Sequence, residues 1–466
     1  MTAMAVGSQV SARTRRLLEG PILGTLLRLA APNVGEAAAR VAFICFDAVF
    51  VGWLGTDALA GVALVFPLFL IMQMTSASGL GAGVASSVAR ALGAGRRADA
   101  DARAAHAVML ALAVSAGFAA SMLIDGPTLY RALGARDGAL AAATAYSALV
   151  FGAGAPAVWL MNLLANVVRG TGVMLVPAAA IVAGEAVHLA LSPCLILGVG
   201  PFPQLGVTGA AIAVVAAYAT GAAVLLVYLV AGRGLARLTR TAFRPRRAVF
   251  RDILSVGALA AANVLQWQIA AFVVTAAVAS FGPAVLAGYG AAIRLELLMY
   301  PLSFALGSAT VAMVATQIGA GLHERARRIA WTAIALSTLL GLAFAAIALA
   351  LPRGWMSLFS HDQAVIDAGA GYLTRLGLSY PVLGFGFGLV FALQGAGQVT
   401  RPFLVGALRL AIVFVGAWLV LRHGAGAATL FLVLADSAVP FALGMLISAR
   451  GVLWRRAVVR AVKAAA

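Results

Sequence analysis

The chain has 466 residues, 63% hydrophobic and only 10% charged, with a mean hydropathy of +1.01. A soluble domain carries about 25% charged residues, so a globular protein surrounded by water is excluded and a polytopic helical membrane protein is implied. The formal charge of +18 does not point to nucleic acid, because the bases are arginines (Lys463 is the sole lysine) that gather in alternate loops rather than on one face.

Twelve apolar spans fit the pattern, at approximately 22–52, 58–88, 104–126, 140–168, 176–198, 206–231, 253–280, 285–316, 327–351, 365–394, 402–422 and 426–450. The first carries Glu36, Arg40 and Asp47. At ~100° per residue all three share one helix face, and an ionised group at the bilayer centre costs at least ~2.5–3.5 kcal/mol, so that face must meet protein or a cavity. Glu36 and Arg40, one turn apart, either pair structurally or line a substrate cavity. Pro32 supplies a place for this helix to bend.

The fourth span offers Asn162 and Asn166, of which Asn162 is a cavity candidate. In the fifth, Glu185, His188 and Ser192 fall at i, i+3 and i+7 and share a face. They read either as a proton or ion site facing Asp47 or as hydrogen bonds pinning two helices. A basic linker, 232–252, then splits the spans six and six. The seventh span carries Asn263, Gln266, Trp267 and Gln268, where Gln266 is a cavity candidate and Trp267 offers a face for a flat cation. Arg294 and Glu296 in the eighth are two apart and cannot pair with each other, which makes Arg409 and Asp436 candidate partners. Glu296 is the second-lobe candidate for contacting a cationic substrate.

Arginines concentrate at 13–16, 90–103, 233–251, 325–328 and in the tail after 450, against few in the opposite loops. This positive-inside asymmetry predicts a multi-pass protein of the cytoplasmic (inner) membrane with both termini cytoplasmic. Arg103, Asp99 and Asp101 read as a solvated helix start. A cleaved signal peptide is not expected. Cys45 and Cys194 read as buried small hydrophobes.

The two halves repeat. LGTDALAGVA (54–63) returns as FGPAVLAGYG (281–290), ALGAG (91–95) as QIGAG (317–321), and RGTGVMLVP (169–177) as QGAGQVTRP (394–402). Offsets of 225 to 227 residues at three landmarks indicate duplication. The expected organisation is an N-terminal lobe (1–231), a cytoplasmic basic linker (232–252) and a C-terminal lobe with a basic tail (253–466), with the substrate site between lobes that rock. The glycine-rich stretches follow no strand, so they are not nucleotide sites. No metal spacing or nucleophile–His–acid set appears, and neither enzymatic activity nor a cofactor is expected.

With FDAVFVGWLGTDALAG, ALGAGRRADADARAAH, CLILGVGPFPQLGVTGAAIA, QIGAGLHERARR and LQGAGQVTRP in this order, the chain resembles multidrug and toxic compound extrusion (MATE) transporters, nearer the DinF-like branch. The resemblance implies an all-α, twelve-helix, two-lobed, monomeric exporter. It would expel organic cations or other amphipathic small molecules against protons or sodium. Asp47 matches the family's helix-1 acid and Pro32 its helix-1 proline. His188 and Ser192 stand where the branch keeps an Asn and an Asp, which leaves Asp47, Glu185, His188 and Ser192 as the candidate coupling set. The alternative is a flippase or carrier of an amphipathic or anionic metabolite, suggested by Arg40, Arg294 and Arg409 within spans.

Overall fold

The computed structural model describes residues 12–453, apart from the side chains at 12, 13, 41–45, 47–49 and 451–453. Every regular element among the described residues is helical, as expected where lipid offers the backbone no hydrogen-bond partner. A short helix, α1 (Ala12–Glu19), precedes α2 (Ile22–Gly52), which is 31 residues long and continues unbroken through Pro32. Then come α3 (Thr56–Gly93), α4 (Arg97–Ala132), α5 (Asp137–Gly152 and Gly154–Gly170, bent by 45°), α6 (Leu175–Leu197) and α7 (Val207–Val230). The second set is α8 (Arg247–Ala279), α9 (Pro283–Gly319), α10 (His323–Ala350), α11 (Gln363–Gly377 and Tyr380–Gly395, bent by 54°), α12 (Thr400–Arg422) and α13 (Ala427–Arg450). From α2 to α13 these make twelve spans.

The repeat seen in the sequence is also a repeat of backbone shape. Gly55 and Gly282, which precede α3 and α9, have φ of 101° and 103° with ψ of 179° and 169°. That conformation is essentially closed to residues with a Cβ. Gly95 and Gly321 are left-handed at φ 73° and 76°, and each closes its helix with the same pair of bonds. Arg96 N donates to Ala91 O and Gly95 N to Leu92 O; Leu322 N donates to Gln317 O and Gly321 N to Ile318 O. This is the Schellman closure of a helix C-terminus. The bends of α5 and α11 recur at the matching place in each half.

Within α3, residues Thr75–Leu80 form a π-helical turn. Wide turns of this kind need side chains to steady them. Asn162 Nδ2 donates to Gln73 Oε1 (2.7 Å) and Ser76 Oγ (2.8 Å), and Asn166 Nδ2 donates to Ala77 O (3.0 Å). No period in the α3 sequence announces this widening, because the partners lie some 86 to 89 residues away.

The described residues resolve into two compact units, one of residues 12–15 and 31–261, the other of 16–30 and 262–453. The divisions fall inside α1, inside α2 one residue before Pro32, and inside α8. Within the second unit the 16–30 segment is tied down by Gln317 Nε2, which donates to Leu17 O at 2.8 Å, and by Arg325, which donates to Gly20 O.

In the first unit the basic stretch after α7 is docked rather than free. Arg237 N donates to Asp101 Oδ1 (2.7 Å), and Arg246 N donates to His106 Nε2 (2.9 Å). Asp252 accepts from Arg90 (2.7 Å) and Arg103 (3.0 Å). The expected solvated start of α4 is therefore corrected: Arg103 and Asp101 hold the linker, while Asp99 pairs with exposed Arg96 at 3.2 Å. Charge-assisted bonds to one carboxylate from two helices are stronger than isolated surface pairs. Replacing Asp252 by Asn is expected to speed trypsin cleavage within 233–251 several-fold while leaving cleavage in the tail unchanged. Equal rates would show that this carboxylate does not hold the linker.

Candidate functional site

The first unit buries a charged network that starts on α2. Glu36, 4% exposed, receives Arg40 Nε on one carboxylate oxygen at 3.2 Å, the i, i+4 pair read from the sequence. Its other oxygen accepts from Arg169 at 2.5 Å, and Arg169, from the end of α5, is 1% exposed. Arg40 in turn interacts electrostatically with Glu185 on α6 and Tyr218 on α7. One carboxylate thus bridges two guanidiniums, and a second acid faces the more exposed of them. Such a cluster is retained in lipid only where each charge meets another.

Glu185, His188 and Ser192 are all buried along α6, as the i, i+3, i+7 spacing predicts. The structure brings Glu185 into the Glu36–Arg40 network. The Asp47 side chain lies outside the described residues; its backbone belongs to the last turns of α2. Asn162 is fully buried and its amide nitrogen is engaged by Gln73 and Ser76.

The second unit holds a different arrangement. Glu296 is buried, and one of its oxygens accepts from the hydroxyls of Tyr372 (2.6 Å) and Tyr380 (3.2 Å). Arg409 acts on it electrostatically. The guanidinium of Arg409 lies 4.1 Å above the Trp267 ring, so the indole face offered to a flat cation is taken by one of the chain's own. Trp267 packs with Tyr300, Phe387 and Phe441 in an aromatic group with centroids 5.2–6.3 Å apart. Gln266 donates to Phe403 O at 3.3 Å and lines a small open pocket with Trp267, Gly406 and Arg409. Arg294 lies over Phe359 at 4.9 Å, and Asp436 is exposed, so neither takes the partner weighed for it.

Arg169, Gln73, Tyr218, Tyr372 and Tyr380 escaped the sequence reading. Arg169 stood in plain view as the first residue of the RGTG landmark, directly after a long apolar run. The tyrosines carry no such signal, since a hydroxyl–carboxylate pair across 76 or 84 residues leaves no mark in local spacing.

The MatE family model matches residues 35–194 and again 258–419, once in each half. A probable multidrug resistance protein NorM of Deinococcus radiodurans is 30% identical over 87% of this chain and 89% of that protein. A protein of Shewanella oneidensis named as an FAD transporter is 29% identical over 85% of this chain and 87% of its own length. Among solved structures, a MOP-superfamily transporter of Pyrococcus furiosus, described for the reverse polarity of its binding pocket, superposes with a TM-score of 0.87 at 23% identity. It covers 96% of this chain and all of the other, a likeness of fold.

Proposed function

This chain belongs to the MatE family of transporters, and from that premise we propose that it is a proton-coupled antiporter of the inner membrane that exports organic cations. The observation that carries the reading is the buried network of ionisable groups in the first unit, in which Glu36, Arg40, Arg169 and Glu185 act on one another. Intramembrane ionisable groups mark ion pathways. Asp47, on the same helix as Glu36, is the coupling carboxylate, and Glu185, His188 and Ser192 complete its route on α6. A proton taken up on Asp47 removes a negative charge from α2, weakens the hold on a cationic cargo and lets the helix bend near Pro32. Cargo and proton therefore exclude each other, and the lobes alternate access to the two sides.

Asn162, Gln266 and Glu296, with Glu36 and Arg40, are the residues assigned to the substrate cavity. Sodium is the alternative coupling ion. The protein acts as a monomer with both termini in the cytoplasm, and it catalyses no covalent chemistry. Dye uptake into everted vesicles tests the reading: an imposed pH difference drives accumulation, and a sodium difference of equal size does not. Uptake driven by sodium alone would overturn proton coupling.

A second reading, transport of an anionic or amphipathic metabolite, is favoured by Arg409, a half-buried guanidinium held by an aromatic face rather than by an ion pair. The relative named as an FAD transporter fits that reading.

A further inference from the structure

Between Arg233 and Arg251 the chain carries seven arginines and neither aspartate nor glutamate. The segment is nonetheless held in place from beneath. Its backbone donates to Asp101 from Arg237 N (2.7 Å) and to His106 from Arg246 N (2.9 Å). Ala236 and Val249 belong to the hydrophobic core of the first unit, and Leu235 and Leu238 pack against it. The protein thus engages the main chain and the apolar side chains of this segment.

The guanidiniums are left over. All seven arginines are exposed, and none forms an ion pair or a side-chain hydrogen bond among the described residues. Asp101 acts on Arg237 only electrostatically, and Asp252 is taken by Arg90 and Arg103. Residues 1–11 and 454–466 contain no acid, so those stretches bring no countercharge.

Phosphate is the anion that fits. A guanidinium presents a planar fork to two phosphate oxygens, and every base of the segment is arginine. The segment joins the ends of two membrane-crossing helices, α7 at Val230 and α8 at Arg247, so lipid headgroups are the phosphates at hand. Phe243, 40% exposed, stands between Arg240 and Arg244. Aromatic and basic side chains in combination settle at the boundary of headgroups and acyl chains. Basic clusters beside a span attract anionic lipid, within a Debye length of the surface.

We propose that the docked segment 233–251 is a binding surface for anionic lipid headgroups, which its arginines hold through their phosphates. Because Asp101 and His106 fix the backbone, the arginines meet the lipid as a set array and not as a loose tail. A zwitterionic headgroup brings its own ammonium to the surface and is held less well. The proposal is independent of what the transporter carries and of its coupling ion.

The test uses the full-length transporter in a neutral detergent and follows its unfolding midpoint as lipid is added. A ligand of the folded state raises that midpoint. Phosphatidylglycerol is expected to raise it by several degrees, and phosphatidylcholine with the same chains by less than half as much. High salt should abolish the difference. Arg240→Gln, Arg244→Gln and Arg247→Gln together are expected to remove most of it while leaving the midpoint without lipid unchanged. Arg131→Gln with Arg136→Gln, which alters exposed arginines between α4 and α5, should retain it. If the triple variant does not fold, Arg240→Gln and Arg244→Gln singly carry the test, each with a smaller difference than the wild type.

Equal shifts from the two lipids, or an undiminished difference in the folded variants of the segment, overturn the surface. Inorganic phosphate or a uridine homopolymer RNA that matches the effect of phosphatidylglycerol overturns its assignment to lipid, since anchored chains favour a headgroup over both.

Discussion

Replacing Asp47 by Asn is expected to reduce efflux driven by a pH gradient at least tenfold, to the rate seen with no gradient. Asparagine matches the protonated acid in shape and lack of charge, so the variant rests permanently in the state in which the proton is bound. A carrier in which cargo and proton exclude each other then has nothing left to exchange. The described charges around Glu36 balance two against two, Glu36 and Glu185 against Arg40 and Arg169. In everted vesicles loaded with a fluorescent cation, the variant should also lose the dependence of initial rate on the imposed pH difference. Its binding of the cation in detergent should no longer vary with pH. Efflux that still follows the pH gradient would remove Asp47 from the coupling role and leave Glu185 as the acid to examine next.

The second large effect is on stability. Glu36→Gln is expected to destabilise the protein by about 3–5 kcal/mol, because it leaves buried Arg169, and half-buried Arg40, without the carboxylate that bridges them. Arg169 has no route to water at 1% exposure, so the loss is not softened by solvent as it would be for a surface pair. Adding Arg169→Met should recover most of it, since a buried ion pair replaced by apolar groups of similar size is often neutral or better. Thermal unfolding in one detergent measures both variants. A double variant no more stable than Glu36→Gln alone would show that the buried guanidinium is not the source of the loss. Transport by the double variant then tells whether the pair does more than hold α2 against α5.

Features of short range were legible in the sequence. Glu36 and Arg40 are paired because four residues make one turn, and Glu185, His188 and Ser192 share a buried face for the same reason. The duplicated landmarks carry over into backbone shape, because the glycines at 55 and 282 sit in a conformation essentially closed to a Cβ, and those at 95 and 321 in the left-handed one that disfavours it. Spans could be counted because their lengths answer to the thickness of the bilayer, and an arginine-rich loop could be recognised by composition.

What escaped that reading depends on which helices meet. That Arg169 would supply the second cation to Glu36, that Tyr372 and Tyr380 would occupy Glu296, and that Arg409 would cover the Trp267 ring are pairings across 76 to 142 residues. The sequence by itself determined the helical class, the twelve crossings, the internal repeat and the buried charges that need an explanation. Only tertiary packing chose the partners of those charges, because a group removed from water takes whichever neighbour packing presents, and chain separation has no part in that choice.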